Sequence, residues 1–148
     1  TVKFLGNVSN SALDNILAAI EQASNDFQDG NFNLNLFGVG VFPNRSRPRV
    51  LWAGVQGDLE SLEKLHHVVD SAVSRLGFSL DQGPYRAHLT LGRPRNGVPQ
   101  QRLSLIGDTI SNWPSLRPVI WPVDSVQLIQ SVSEPGRVEY TTLGSAPL

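Results

Sequence analysis

Between residues 31 and 42 the apolar side chains fall on every second position, and halfway along they change phase. Phe32, Leu34 and Leu36 alternate with asparagines, and Phe37, Val39 and Val41 then continue one position out of step. A period of two is the mark of a strand with one face turned to a core. A phase change inside it calls for a bulge or bend, which the neighbouring glycines permit. A strand this long is stable only inside a sheet, so the chain must supply partners. "VLWAGVQ" at 50–56 reads as another strand, reached through an arginine-rich loop bounded by Pro43 and Pro48.

Helical periodicity alternates with these strands. Leu13, Ile16, Leu17 and Ile20 lie at 3.6-residue spacing behind serines able to cap, which predicts an amphipathic helix. A second helix is predicted over 58–76, with Asp58 as cap, Leu62, Leu65, Val69, Val73 and Leu76 inward, and Gly77 as stop. A weaker helix carries Leu103, Ile106, Ile110 and Trp113 after a turn at Asn96 and Gly97. Further strands are expected at 1–6, 85–93, 125–132 and 137–143, the last two joined by the turn-forming "SEPG". Strands in hairpins with helices packed on them define an α+β protein rather than a strictly alternating parallel one. A weak internal echo, strand then helix from residue 1 and again from residue 88, points to a duplicated two-lobed unit.

Composition excludes several chemistries. A chain of 148 residues holds one domain with a sizeable core. With no cysteine there is neither a thiolate nucleophile nor a disulfide framework, and three scattered histidines make a poor zinc set. No metal or cofactor is therefore expected. Twelve basic against thirteen acidic residues leave the chain nearly neutral, but Arg45, Arg47, Arg49, Arg86, Arg93 and Arg95 crowd into two short windows. Such arginines suit phosphate through paired donors. No apolar run approaches membrane-spanning length and no secretory signal is present, so no membrane partner is expected and a cytoplasmic location is.

The second of those windows, "YRAHLTLGR" at 85–93, places His88 and Thr90 on one strand face, about 7 Å apart, with Leu89 and Leu91 on the other. The opening "TVKFLG" matches the end of the same pattern, with Thr1 in the place of Thr90 and the corresponding histidine two positions before Thr1. Together with "GVGVFPNRSRPRVLWAGV", "LGF" and "VQLIQSVSEPGRVEY", these segments resemble the two-histidine (2H) phosphoesterases, and among them the RNA 2′,3′-cyclic phosphodiesterases, historically called 2′-5′ RNA ligases. The chain departs from the family pattern at Ala87, where proline is usual, and it begins inside the first motif.

The resemblance implies a bilobal α+β fold, with pseudo-duplicated antiparallel sheets around a central cleft and helices on the outer faces. Residues 1–148 then form a single domain lacking the N-terminal segment that bears the first motif histidine. It implies metal-independent hydrolysis of RNA or nucleotide 2′,3′-cyclic phosphates to 2′-phosphates, with weak reverse 2′-5′ ligation, by a monomer. Two imidazoles suit the chemistry, one taking a proton from water and one protonating the departing ribose oxygen. Threonine hydroxyls suit the charge that builds on the phosphoryl oxygens. His88, Thr90 and Thr1 are thus the expected catalytic residues. Arg93, Tyr85, Phe42 and Arg49 are the expected substrate contacts, the aromatic pair by stacking on a base, with core packing weighed above stacking for Phe42. The alternative is a non-catalytic module that binds nucleotides or RNA ends on the same scaffold. His66 and His67 are expected at the surface or partly packed on a helix, without a role, and Lys3 either beside the cleft or in solvent.

Overall fold

The computed structural model describes residues 1–114, 117, 119–134 and 137–148. The turn expected at "SEPG" falls partly on Pro135 and Gly136 and lies outside the described residues. The described elements are a 3-10 turn at Asn10–Ala12, helix α1 (Leu13–Asp26), strands β1 (Phe32–Phe42) and β2 (Val50–Gly57), helix α2 (Leu59–Ser74), β3 (His88–Gly92), α3 (Gln100–Ser111), β4 (Ile120–Val123), β5 (Ser125–Glu134) and β6 (Arg137–Pro147). The mixture is α+β, and β1–β2, β2–β3 and β5–β6 all pair antiparallel. The chain divides into two compact units.

The first unit, built on residues 33–59 and 86–121 with Thr1, holds a sheet of order β3-β2-β1-β4. The phase change in β1 is a bulge: its pairing with β2 shifts register between Phe37 and Val39, across Gly38 at φ 60°. The loop after β1 docks on α3, where Gly107 is required. A Cβ there would stand 2.0 Å from the Arg45 carbonyl oxygen. Arg47 Nε donates to Gln100 Oε1 at 3.0 Å, and Gln100 Nε2 donates to the Ser46 carbonyl. Leu89 and Leu91, on the apolar side of β3, stay half exposed at this sheet edge.

The second unit comprises residues 2–32, 60–85 and 122–148. Here α1 packs on the β5–β6 hairpin. Leu17 fits over Gly144, and Ser24 Oγ donates to the Pro147 carbonyl. Ile16 and Ile20 of α1 and Leu62, Leu65, Val69 and Val73 of α2 are buried as their spacing predicts, whereas Leu76, beyond the end of α2, is 43% exposed. Gly77, at φ 95°, ends that helix in the left-handed region. Asp58, expected as the cap of α2, turns its Oδ2 to the Asn33 N–H at 2.9 Å.

Three expectations need correction. Residues 1–6 form no strand, since no described neighbour offers them a ladder, and side-chain bonds hold them instead. β3 begins at His88 rather than Tyr85 and ends at Gly92. β4 is an addition, four residues with a proline and no alternation to betray it in the sequence.

Candidate active site

One face of the first unit's sheet carries His88 and Thr90. In the β2–β3 register His88 stands opposite Gly54 and Thr90 opposite Trp52, and in the β1–β2 register Gly40 stands opposite Trp52 and Phe42 opposite Val50. Alternation thus brings Phe42, Gly40, Trp52, Gly54, His88 and Thr90 to one side. The glycines make room: a Cβ on Gly40 would lie 2.2 Å from the Trp52 ring, which spreads across that position. Phe42 meets the Trp52 ring at 5.2 Å between centroids and the His88 ring edge-on at 5.4 Å and 89°. An imidazole braced edge-on by one ring, opposite a residue with no side chain, is held in place.

His88 Nδ1 lies 2.7 Å from the Arg86 carbonyl oxygen. A carbonyl only accepts, so Nδ1 carries the hydrogen, and Nε2 is the ring atom that can take up or release a proton. This is the arrangement a general base or acid requires.

The other expected site residues divide between the units. Thr1, Arg49 and Arg93 belong with His88, Thr90 and Phe42. Arg49 anchors through its backbone N–H to the Phe42 carbonyl at 2.7 Å and exposes its side chain. Arg93 follows the last residue of β3, so strand alternation does not bind its side chain to the face opposite His88. Phe42, for which packing is weighed above base stacking, packs on Trp52 and His88. Tyr85 lies in the second unit, half-buried, with its ring stacked on His66 at 4.3 Å and 19°. Burial raises its phenol pKa.

That second unit also holds a polar cluster that sequence reasoning missed. Lys3 is buried, not solvated, with its side chain 5% exposed. Its Nζ lies 2.5 Å from Asp70 Oδ1 and 2.6 Å from Asp81 Oδ1, and donates to the Ser79 carbonyl at 2.8 Å. Asp70 Oδ2 accepts the Asp81 backbone N–H at 3.2 Å, and His66 Nε2 meets Asp81 Oδ2 at 3.1 Å. Burial works against the Lys3 charge, but its hydrogen bonds to the acceptors Asp70 and Asp81 outweigh it and hold the ammonium pKa above the ordinary value. The Lys3 hydrogen bond, against the opposing effect of burial and with help from His66, holds the Asp81 carboxyl below its ordinary range. Asp70 and His66 are both buried, so His66 takes a packed place rather than a surface one. The signal was present: Leu62, His66 and Asp70 sit four apart, on the stripe of Leu65, Val69 and Val73.

Fold and site together define an α+β protein that presents an oriented imidazole beside a threonine, with arginines in the same unit. Residues 1–134 match the 2′-5′ RNA ligase superfamily, and the chain belongs to that superfamily. It is 37% identical over 100 residues to an RNA 2′,3′-cyclic phosphodiesterase of Archaeoglobus fulgidus, covering 68% of this chain and 53% of the relative. To the protein of that name from Aeropyrum pernix it is 32% identical over 93 residues, covering 63% and 51%. The chain thus spans about half the length of these curated relatives. The crystal structure of TT0787 of Thermus thermophilus shares the fold with a TM-score of 0.76 at 24% identity, over 100% of this chain and 76% of that one. The structure of E. coli LigT complexed with 3′-AMP gives a TM-score of 0.67 at 25% identity, over 100% and 75%. Among the described residues no helix is long and apolar enough to cross a membrane.

Proposed function

We propose that the complete protein hydrolyses 2′,3′-cyclic phosphate ends of RNA to 2′-phosphates, with His88 as one of two proton-transferring imidazoles. The observation that carries this reading is the His88 Nδ1 bond to the Arg86 carbonyl, which supports Nε2 as the atom that exchanges the proton. Water attacks phosphorus, forming a new P–O bond, while the P–O3′ bond breaks. One imidazole accepts the water proton and the other delivers a proton to the departing O3′. Neutral His88 serves the first role and protonated His88 the second, through the same nitrogen in either case. The register of the two motifs assigns the second imidazole to the position two residues before Thr1.

The hydroxyls of Thr90 and Thr1 donate to the non-bridging oxygens as charge builds there. Arg93 and Arg49 hold the phosphate end. Every proton in the cycle has a side-chain carrier, so the reaction runs without a metal. With a ribose 5′-hydroxyl in the place of water, the same displacement of O3′ joins two ends through a 2′-5′ linkage.

The test follows a 2′,3′-cyclic-phosphate oligonucleotide in excess chelator with the gene-encoded full-length protein and its His88→Ala variant. Turnover by the wild type to a 2′-phosphate and collapse in the variant are expected. Wild-type turnover by His88→Ala refutes the mechanism. Binding without turnover by the wild type favours a recognition module instead.

A further inference from the structure

We infer that Trp52 is a positioning residue for His88, acting through the ring of Phe42. The inference rests on the reading of His88 as a proton-transferring residue, and every group in it belongs to the first unit. The bond from Nδ1 to the Arg86 carbonyl fixes one atom of the imidazole, about which the ring plane can still swing. A second contact has to hold the plane, and Phe42 supplies it edge-on at 5.4 Å and 89°. Phe42 stands on β1 and His88 on β3, strands that are not neighbours in the sheet, so the rings make this connection without help from a ladder. A phenyl ring on a sheet face holds another group still only if it is itself stopped from changing rotamer. Against Phe42 lies Trp52, at 5.2 Å between centroids and inclined at 32°.

What stops Trp52 in turn is the backbone of β1. A Cβ on Gly40 would lie 2.5 Å from Cη2 and 2.7 Å from Cε2 of the indole, so the ring rests directly on that glycine. Gly40 supplies space rather than conformational freedom, since its φ is not positive. The indole Nε1 is buried and finds no acceptor among the described residues, so packing, and no hydrogen bond, fixes the ring. The ring leans toward β1, and Thr90, opposite Trp52 on β3, is left exposed. Gly40, Trp52, Phe42 and His88 thus form a continuous line of contacts from a strand backbone to the imidazole. A displacement of about 1 Å at a reacting group costs on the order of a hundredfold in rate, which gives the far end of that line leverage on catalysis.

The experiment compares Trp52→Leu, Trp52→Phe, Gly40→Ala and the double variant Gly40→Ala with Trp52→Leu against wild type in the gene-encoded full-length protein. Val41→Ala, on the opposite face of β1, is the control for lost stability in the same sheet. Three readouts are taken well below each melting temperature: kcat and KM on 2′,3′-cyclic AMP, binding of 2′-AMP, and the side-chain nitrogen spectrum of the histidines, with His88 assigned by its loss in His88→Gln. Trp52→Leu is expected to lower kcat about tenfold or more with 2′-AMP binding changed less than about threefold. It is also expected to turn the single Nδ1–H form of His88 into a mixture. Trp52→Phe should recover part of both effects. Gly40→Ala, which removes nothing and only pushes the indole, should show both in smaller measure.

In the double variant the added methyl group has no indole to meet, so Gly40→Ala should add nothing to Trp52→Leu, and Val41→Ala should show neither effect. A folded Trp52→Leu that melts earlier but keeps kcat and the His88 spectrum reduces Trp52 to core packing and overturns the inference. So does one that weakens 2′-AMP binding in step with kcat while His88 keeps its single form, which makes Trp52 a substrate contact. If Trp52→Leu does not fold, Gly40→Ala decides, and an unaltered His88 spectrum there overturns the inference. Should the wild type prove inactive, the function proposed above fails, while an altered His88 spectrum in Trp52→Leu still upholds the positioning role and an unaltered one still overturns it.

Discussion

An imidazole whose Nδ1 is given to a carbonyl has one nitrogen left for chemistry, and removing that nitrogen should cost what a positioned proton transfer contributes. His88→Ala is therefore expected to lower kcat by about a hundred- to ten-thousand-fold, whereas His67→Ala, on the exposed side of α2, should leave it unchanged. Steady-state rates on a cyclic-phosphate oligonucleotide check both. Arg93, exposed and in no ion pair among the described residues, should act on binding: Arg93→Ala is expected to raise KM and lose about 1–3 kcal/mol of transition-state binding, and unchanged kinetics would make it a surface charge. His88 and Thr90 are legible from period two and a motif repeated in register. His66 and Lys3 are not, because what decides their roles, a carboxylate at Asp81 and another at Asp70, comes from chain 15 and 67 residues away. No local pattern announces which lysine finds two carboxylates.

Among the elements, those with a long period are legible in the sequence: α1, α2, β1 with its bulge, and the body of β2. Elements that owe their conformation to a neighbour are not, and residues 1–6 are the clearest case, strand-like in composition yet in no ladder among the described residues, with Lys3 clamped between Asp70 and Asp81. Breaking that clamp should be costly. Lys3→Met leaves Asp70 buried without its counter-charge, for which about 3 kcal/mol is expected, the low end for buried pairs because Asp81 remains 44% exposed. Denaturant unfolding measures it. The pH dependence follows from the two shifts. Lys3, raised above 10.5, contributes stability that is full below 10.5 and lost as pH climbs through the higher folded value. Asp81, lowered from 3.8, contributes stability that is full above 3.8 and lost as pH falls through the lower folded value. The melting-temperature deficit of Asp81→Asn should thus be flat from about pH 5 to 9 and shrink below about pH 4. A deficit that stays constant down to about pH 2 would show that the Asp81 charge does not carry the effect.

Near-neutrality of the whole chain conceals a strong asymmetry. The unit that holds His88 carries eight arginines against two carboxylates, Asp58 and Asp108, while the other unit carries four basic residues against eleven acidic ones. The ion pairs of Lys3, Lys64, His66 and Arg137 all lie in the second unit, and among the described residues none of the first unit's arginines is neutralised by a carboxylate. Arg45, Arg47 and Arg49 are presented together by the loop that Gly107 and Gln100 seat on α3, with Arg102 on that helix. A positive field of this kind favours a chain of phosphates over a single one. The KM for a cyclic-phosphate oligonucleotide is therefore expected to rise steeply with salt, with a log–log slope of about 0.7 for each phosphate contact. A 2′,3′-cyclic mononucleotide, with one phosphate to bind, should respond far less. Replacing Arg45 and Arg47 by Gln should lower the oligonucleotide slope by about 1.4 and leave kcat on the mononucleotide unchanged, since neither lies on the His88 strand. Gly107→Ala, which drives a Cβ into the Arg45 carbonyl, should imitate the pair by displacing the loop that carries them. Equal salt slopes for the two substrates would confine recognition to the cyclic end and leave the arginine-rich unit without a part in holding the RNA chain.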